Sequence, residues 1–177
     1  YISILAGKES ICIDPFCGSG GNVIQFSKNC KKIYAGDIDE KKIEISKNNC
    51  KVYECKDNID FYCMDFLKLE KKIKADYIFL SPPWGGIEYK NSRNYSLKKM
   101  VTPNISEIIK KSLSVAKNIM FYLPRNIDIQ ELFKERQSVL DGTKVPSTVQ
   151  NSQILNPAQQ HQSIYKATDV AQPKPEE

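Results

Sequence analysis

Short apolar runs alternate with helical stripes along most of this chain. Ile11-Cys12-Ile13 and Tyr77-Ile78-Phe79-Leu80 are unbroken, the mark of strands buried on both faces. Strands are expected near 11–16, 32–38, 59–64, 75–81 and 118–123. Between them Val23, Ile24 and Phe26, and later Ile105, Ile108, Ile109 and Leu113, recur at helical spacing. That predicts helices near 21–29, 40–50 and 103–116, with a shorter piece around 66–72. Asp39 is placed to cap the second helix, and Thr102 to cap a helix opening with Pro103. Such alternation specifies an α/β fold whose sheet is mostly parallel, with helices on both faces. From Gln137 onward the chain is rich in Gln, Ser, Thr and Pro, so residues 1–136 are expected to be the folded domain. Residues 137–177 are expected to be a divergent or disordered extension, in which 148–155 and 163–167 could form a degenerate strand pair.

Four strand ends carry candidate chemistry. Asp14-Pro15-Phe16 closes the first strand, and Cys17-Gly18-Ser19-Gly20-Gly21-Asn22 leads into the first helix. Glycines there let the backbone approach a ligand, and amides at the helix start favour an anionic group. The spacing is neither the dinucleotide fingerprint nor a P-loop. The second strand ends in Asp37, placed to hold ribose hydroxyls, and the third runs on to Asp65, as a further ligand or as a turn cap. After the fourth strand comes Ser81-Pro82-Pro83-Trp84-Gly85-Gly86, which holds the chain's one tryptophan. Two prolines fix φ and remove two backbone donors, leaving carbonyls beside a flat indole, a pocket suited to a planar base.

In order and spacing, Asp14 to Asn22, Gly36-Asp37-Ile38-Asp39, Asp65-Phe66, Ser81 to Gly86 and Leu123-Pro124-Arg125-Asn126 resemble the trimethylguanosine synthase family, the RNA cap guanine-N2 methyltransferases. The resemblance spans roughly residues 11–136. It implies a class I, Rossmann-like methyltransferase dependent on S-adenosyl-L-methionine (AdoMet) that methylates N2 of a 7-methylguanosine cap. On that basis Asp14, Phe16 and the loop Gly18, Gly20 and Asn22 would lie against the methionine part of the cofactor. Asp37 would bind the ribose, Asn48 would lie near the cofactor, and Asp65 beside the adenine. Ser81, Pro82 and Trp84 would form the catalytic guanine site, with Trp84 stacked on the methylated ring and Arg125 and Asn126 flanking it. Arg125 could equally pair with a strand-end carboxylate. The family's N-terminal helical segment is expected to be absent. The expected partner is a capped RNA of the small nuclear or nucleolar type, and the expected setting is nuclear or cytoplasmic, as a monomer without metal. Two other readings stay open: methylation of another exocyclic amine in tRNA, rRNA or DNA, and a cap- or AdoMet-binding module without turnover.

Composition fits these readings. The chain has 177 residues, 41% apolar, enough for one core. No stretch has the 18 uninterrupted apolar residues of a membrane span, and no secretory leader is legible. Its only histidine is His161, which leaves no His base or His-based metal site in the matched region. The six cysteines show no CxxC pair and read as reduced, mostly buried thiols, with Cys12 and Cys63 in apolar strands and Cys17 as a packing residue. Net charge is +5, and residues 1–136 hold 23 Lys and Arg against 17 Asp and Glu. Of the lysine doublets, Lys98-Lys99 is the best placed for RNA phosphates; Tyr89, Arg93 and Tyr95 flank the cap or cover the sheet edge.

Overall fold

A computed structural model describes residues 6–70, 72–83, 96–97, 101–124 and 126–142. Strands β1 (Ile11–Asp14), β2 (Lys32–Asp37), β3 (Ile59–Cys63), β4 (Ala75–Leu80) and β5 (Ala116–Phe121) form one sheet in the order β3-β2-β1-β4-β5. Every pairing is parallel; Asp14 lies opposite Ala35, and Asp37 opposite Cys63. Helices α1 (Gly21–Asn29), α2 (Glu40–Val52) and α3 (Ile105–Val115) connect β1 to β2, β2 to β3 and β4 to β5, a 3-10 turn at Phe66–Lys68 lies between β3 and β4, and α4 (Ile129–Gly142) follows β5.

The period-two alternation of the strands divides the core. Phe79 and Met120 face the side where α1 and α2 pack, with Val23, Phe26 and Ile43. Ile78, Leu80 and Ile119 face the other side, against Ile105, Ile108 and Ile109 of α3 and Leu132 of α4. Helices therefore cover both faces, and the expected fold class holds. Each fully buried aliphatic such as Ile78 contributes about 1.5–3 kcal/mol.

The local signals account for the boundaries. Asp39 caps α2 as expected, its Oδ1 accepting from the Lys41 backbone N–H at 3.0 Å. α3 starts later than the Thr102-Pro103 signal suggested: Asn104 is the cap, accepting from Ser106 N–H at 2.9 Å. The short helix expected at 66–72 is a single 3-10 turn. α4 had no counterpart in the sequence reading. Asp128 accepts from Gln130 N–H at 2.9 Å at its start. It continues across residue 136 to Gly142, because Leu132, Val139 and Leu140 return to the core at helical spacing. Residues 148–155 and 163–167 lie outside the described residues.

At the amino ends of the strands the Asp76 side chain braces two neighbours. Its Oδ2 accepts from Ile11 N–H at 3.0 Å, and its Oδ1 pairs with Lys117 Nζ at 2.8 Å. Cys12, Cys17, Cys30 and Cys50 are buried free thiols, but Cys63 is exposed, because β3 is the outer strand of the sheet.

Candidate functional site

The strand order reverses between β1 and β4, so a crevice opens there beyond the carboxyl ends of the strands. The two sequence motifs meet at this crevice. β1 delivers Asp14 to its floor, fully buried, with neither carboxylate oxygen in a hydrogen bond. Burial pushes this carboxyl up to about 7; the nearby Phe16 backbone N–H partly offsets the shift, and the charge of Asp37 adds to it.

The turn after β1 is shaped by two left-handed glycines, Gly18 at φ 54° and Gly20 at φ 87°. Around Gly18 nothing lies within 4 Å of where a Cβ would stand, so the space above the turn is open. Gly20 is the reverse: a Cβ there would press on Ser46 Oγ and lie 3.2 Å from Ser46 Cα. It is also the cap residue of α1, and as a glycine it offers no side-chain acceptor to the first amides of that helix. α2 and α3, by contrast, are capped by Asp39 and Asn104. Uncapped amides at a turn of this shape are open to an anion.

Asp37 holds the turn in place. Its Oδ2 accepts from Gly18 N–H at 3.1 Å and its Oδ1 from Asp39 N–H at 3.0 Å, with Lys42 Nζ at 3.7 Å. Each oxygen keeps a second lone pair for a ligand hydroxyl. Beside it Ile38 is 71% exposed, an apolar surface at a strand end that the sequence reading passed over. Asp65 lies two residues past β3 and caps the 3-10 turn, accepting from Leu67 N–H at 3.0 Å. Phe66 next to it meets Phe16 edge to face with centroids 5.7 Å apart, which brings the β1 and β3 loops together.

Not every candidate points inward. Asn22 and Asn48 are exposed on α1 and α2. The neighbouring Asn49 donates from Nδ2 to the Ser19 carbonyl at 2.9 Å. It lies three residues beyond Ser46, which packs on Gly20, so helical phase counted from Ser46 would have singled it out. Cys17 is buried, and burial raises its thiol to about 12, as suits a packing residue.

On the other side of the crevice, Ser81 Oγ donates to the Phe16 carbonyl at 3.4 Å, and Pro82 is buried. This contact joins the root of the Ser-Pro-Pro element to the glycine turn, 65 residues away in sequence. Trp84 and Arg125 lie outside the described residues, as do Lys98, Lys99, Tyr89, Arg93 and Tyr95. Asn126 is half-buried just after β5. Among the described residues no group of three or more His, Cys, Asp and Glu could hold a metal, and no helix is long and apolar enough to cross a membrane.

A parallel sheet with a glycine turn and strand-end carboxylates at its switch point defines a Rossmann-like methyltransferase fold, and solved structures agree. A putative methyltransferase from Porphyromonas gingivalis superposes with a TM-score of 0.60 at 17% identity, covering 76% of this chain and 32% of that one. Trm5b from Pyrococcus abyssi gives 0.57 at 17% identity, covering 80% and 38%. The family is shown by sequence: residues 9–166 match the model of the RNA cap guanine-N2 methyltransferases, and the chain belongs to that family. Trimethylguanosine synthase of Saccharomyces cerevisiae is 35% identical over 134 residues, 72% of this chain and 42% of that protein. The Schizosaccharomyces pombe enzyme is 35% identical over 131 residues, 71% and 54%. The chain thus spans about half the length of these relatives.

Proposed function

We propose that this chain binds AdoMet at the glycine turn and methylates the N2 amine of a 7-methylguanosine RNA cap. The observation that carries the reading is the contact of Ser81 with Phe16, which roots the guanine-site motif beside a buried carboxylate without a partner. When bound, AdoMet supplies a methyl on a sulfonium, a carbon open to attack by an amine.

The residues fit that group. The Asp14 carboxylate suits a ligand ammonium, because a buried charge without a partner gains most from one. Uncapped amides at the start of α1 suit a ligand carboxylate, and the spare lone pairs of Asp37 suit ribose hydroxyls. Ile38 and the Asp65-Phe66 turn supply an apolar wall and an acceptor for a base. Gly18, Gly20 and Phe16 shape the turn, Asn22 lies just beyond it on α1, and Asn48 lies near the cofactor.

For the guanine, Ser81 Oγ and the Pro82 carbonyl accept hydrogens of the exocyclic amine and turn its lone pair toward the donor. Trp84 stacks on the cationic ring, worth about 2 kcal/mol when desolvated, and so selects methylated caps. Alignment of this kind recovers about 7–11 kcal/mol of a bimolecular barrier. The amine's proton leaves to water once nitrogen is alkylated, so no histidine base is needed. Arg125 and Asn126 flank the guanine, and a capped RNA in the nucleus or cytoplasm is the partner this chemistry requires.

Product mass after incubation with AdoMet and a capped oligonucleotide tests the activity, and a gain of one or two methyl groups on guanosine is expected. Trp84→Ala should weaken 7-methylguanosine diphosphate about 30-fold in a binding titration while AdoMet still binds. Unchanged cap affinity in that variant would overturn the pocket.

A further inference from the structure

After the glycine turn α1 returns alongside β1, and the two elements meet at a pair of thiols. Cys12 Sγ donates to Cys30 Sγ at 3.3 Å, although the residues are 18 positions apart. Neither backbone is free to swing away. Cys12 is within β1, paired with Ile33 on one side and Tyr77 on the other. Cys30 ends α1, its N–H bonded to the Phe26 carbonyl at 2.8 Å and its carbonyl accepting from Asn58 Nδ2 at 2.8 Å. A bond from Lys31 N–H to the Ser10 carbonyl, 3.0 Å long, closes the same end of the unit. Both thiols are buried, while Lys31, next to Cys30, is exposed.

We propose that Cys12 and Cys30 form an oxidisable pair, a modification site at which hydrogen peroxide closes a disulfide that staples the β1–turn–α1 unit. The thiolate is the attacking form of cysteine, and the S–H of Cys12 holds the Cys30 thiol below its ordinary range against the effect of burial. Cys30 sulfur attacks one peroxide oxygen, the O–O bond breaks, and the departing hydroxide takes up the Cys30 proton as water. A sulfenic acid is left at Cys30. Cys12 sulfur then attacks Cys30 sulfur, the S–O bond breaks, and hydroxide leaves with the Cys12 proton as water. Two thiols and one peroxide become one disulfide and two waters; the sulfurs give up two electrons and the peroxide oxygens accept them. To reach bonding distance the sulfurs approach by only about 1.2 Å. The closed loop contains Asp14, Phe16, Gly18, Gly20 and Asn22, so the unit that shapes the turn is fastened at its base. Cys50 and Cys55 also neighbour each other, but a bond there would fasten only the end of α2 to the residues after it.

The test uses the full chain carrying Cys63→Ser, which removes an exposed thiol and with it cross-linking between molecules. After treatment with hydrogen peroxide, a tryptic map should show the Cys12 peptide joined to the Cys30 peptide, about 2 Da lighter than the two reduced peptides together. Dithiothreitol should separate them again. The oxidised form should melt about 5–10 °C higher, because a closed loop of this size restricts the unfolded chain. Adding Cys12→Ala should abolish the link and leave the Cys30 sulfenic acid open to dimedone, which the parent should not take up. No link at Cys12 and Cys30, a disulfide joining other cysteines instead, or a Cys30 link that persists with Cys12→Ala overturns the proposal. So does a melting temperature that stays the same or falls on oxidation, since the pair would then not act as a staple. No ligand enters these measurements, so their outcome is independent of the methyl-transfer reading.

Discussion

Asp76 and Asp14 stand at opposite ends of one sheet and have opposite surroundings. Asp76, at the amino ends, has both oxygens bonded, one to Ile11 N–H and one to Lys117. The Lys117 ammonium and the Ile11 bond hold its carboxyl below the usual carboxylate range. Asp14, at the carboxyl ends, is fully buried with both oxygens unbonded and is pushed up to about 7. The fold completes one carboxylate and leaves the other incomplete, at the end of the sheet where α/β folds bind ligands. An internal partner marks a structural charge. A charge held in place without one marks a site.

The strongest way to break this contrast is Asp14→Asn. A carboxyl whose folded value, about 7, lies above its unfolded value favours the folded state fully below about pH 4. That advantage is lost as pH rises through 7, so the ligand-free parent should lose up to about 4 kcal/mol over that window. Denaturant melts of Asp14→Asn between pH 4 and 8 should lack the slope, and AdoMet binding should fall about 30-fold or more at pH 8. In the parent, AdoMet affinity should rise with pH up to about 7. A parent without the stability slope would mean that Asp14 already has an internal partner.

The glycine turn sharpens the comparison. Gly20→Ala combines a left-handed backbone with a clash on Ser46 and should cost about 3 kcal/mol of stability by thermal or denaturant melting. Gly18→Ala, with open space around it, should cost about 1 kcal/mol and act mainly on AdoMet affinity. Similar melting curves for the two variants would argue that the space above Gly18 is not a binding surface.

The completed end gives a smaller effect than Asp14 or Gly20. Asp76→Ala should destabilise the fold by about 1–2 kcal/mol through the orphaned Ile11 N–H, because the exposed Lys117 pair adds little. Its pH dependence should have the opposite sign to that of Asp14. A carboxyl held low supports the fold above about pH 4, and that support is lost as pH falls below it. AdoMet binding should not change.

The same division runs through what the residues reveal on their own. The glycine-turn side of the crevice is built within short stretches of chain. Gly18 and Asp37, 19 positions apart, bond to each other, and both lie at strand ends that apolar periodicity marks. That side was therefore legible, apart from Asn49, where two adjacent asparagines differ only in helical phase. The Ser-Pro-Pro side is held across the chain, Ser81 to Phe16 over 65 positions, and Leu97 is held to Glu131 over 34. No local pattern announces such pairs. α4 was missed although Leu132, Val139 and Leu140 have helical spacing, because the polar composition that begins near Gln137 masked it.

The order of apolar runs, the glycines and the strand-end acids by themselves determined a parallel α/β sheet, its ligand-binding end and the family's motifs. These are local properties, fixed by side-chain period and backbone freedom. Only the tertiary structure decided that Asp76 is completed while Asp14 is not, that Asn49 donates to the Ser19 carbonyl of the turn, and that Glu131 accepts from Leu97 N–H. Whether a polar group finds a partner depends on which elements come to lie against it, and that is settled when the sheet assembles and the helices pack.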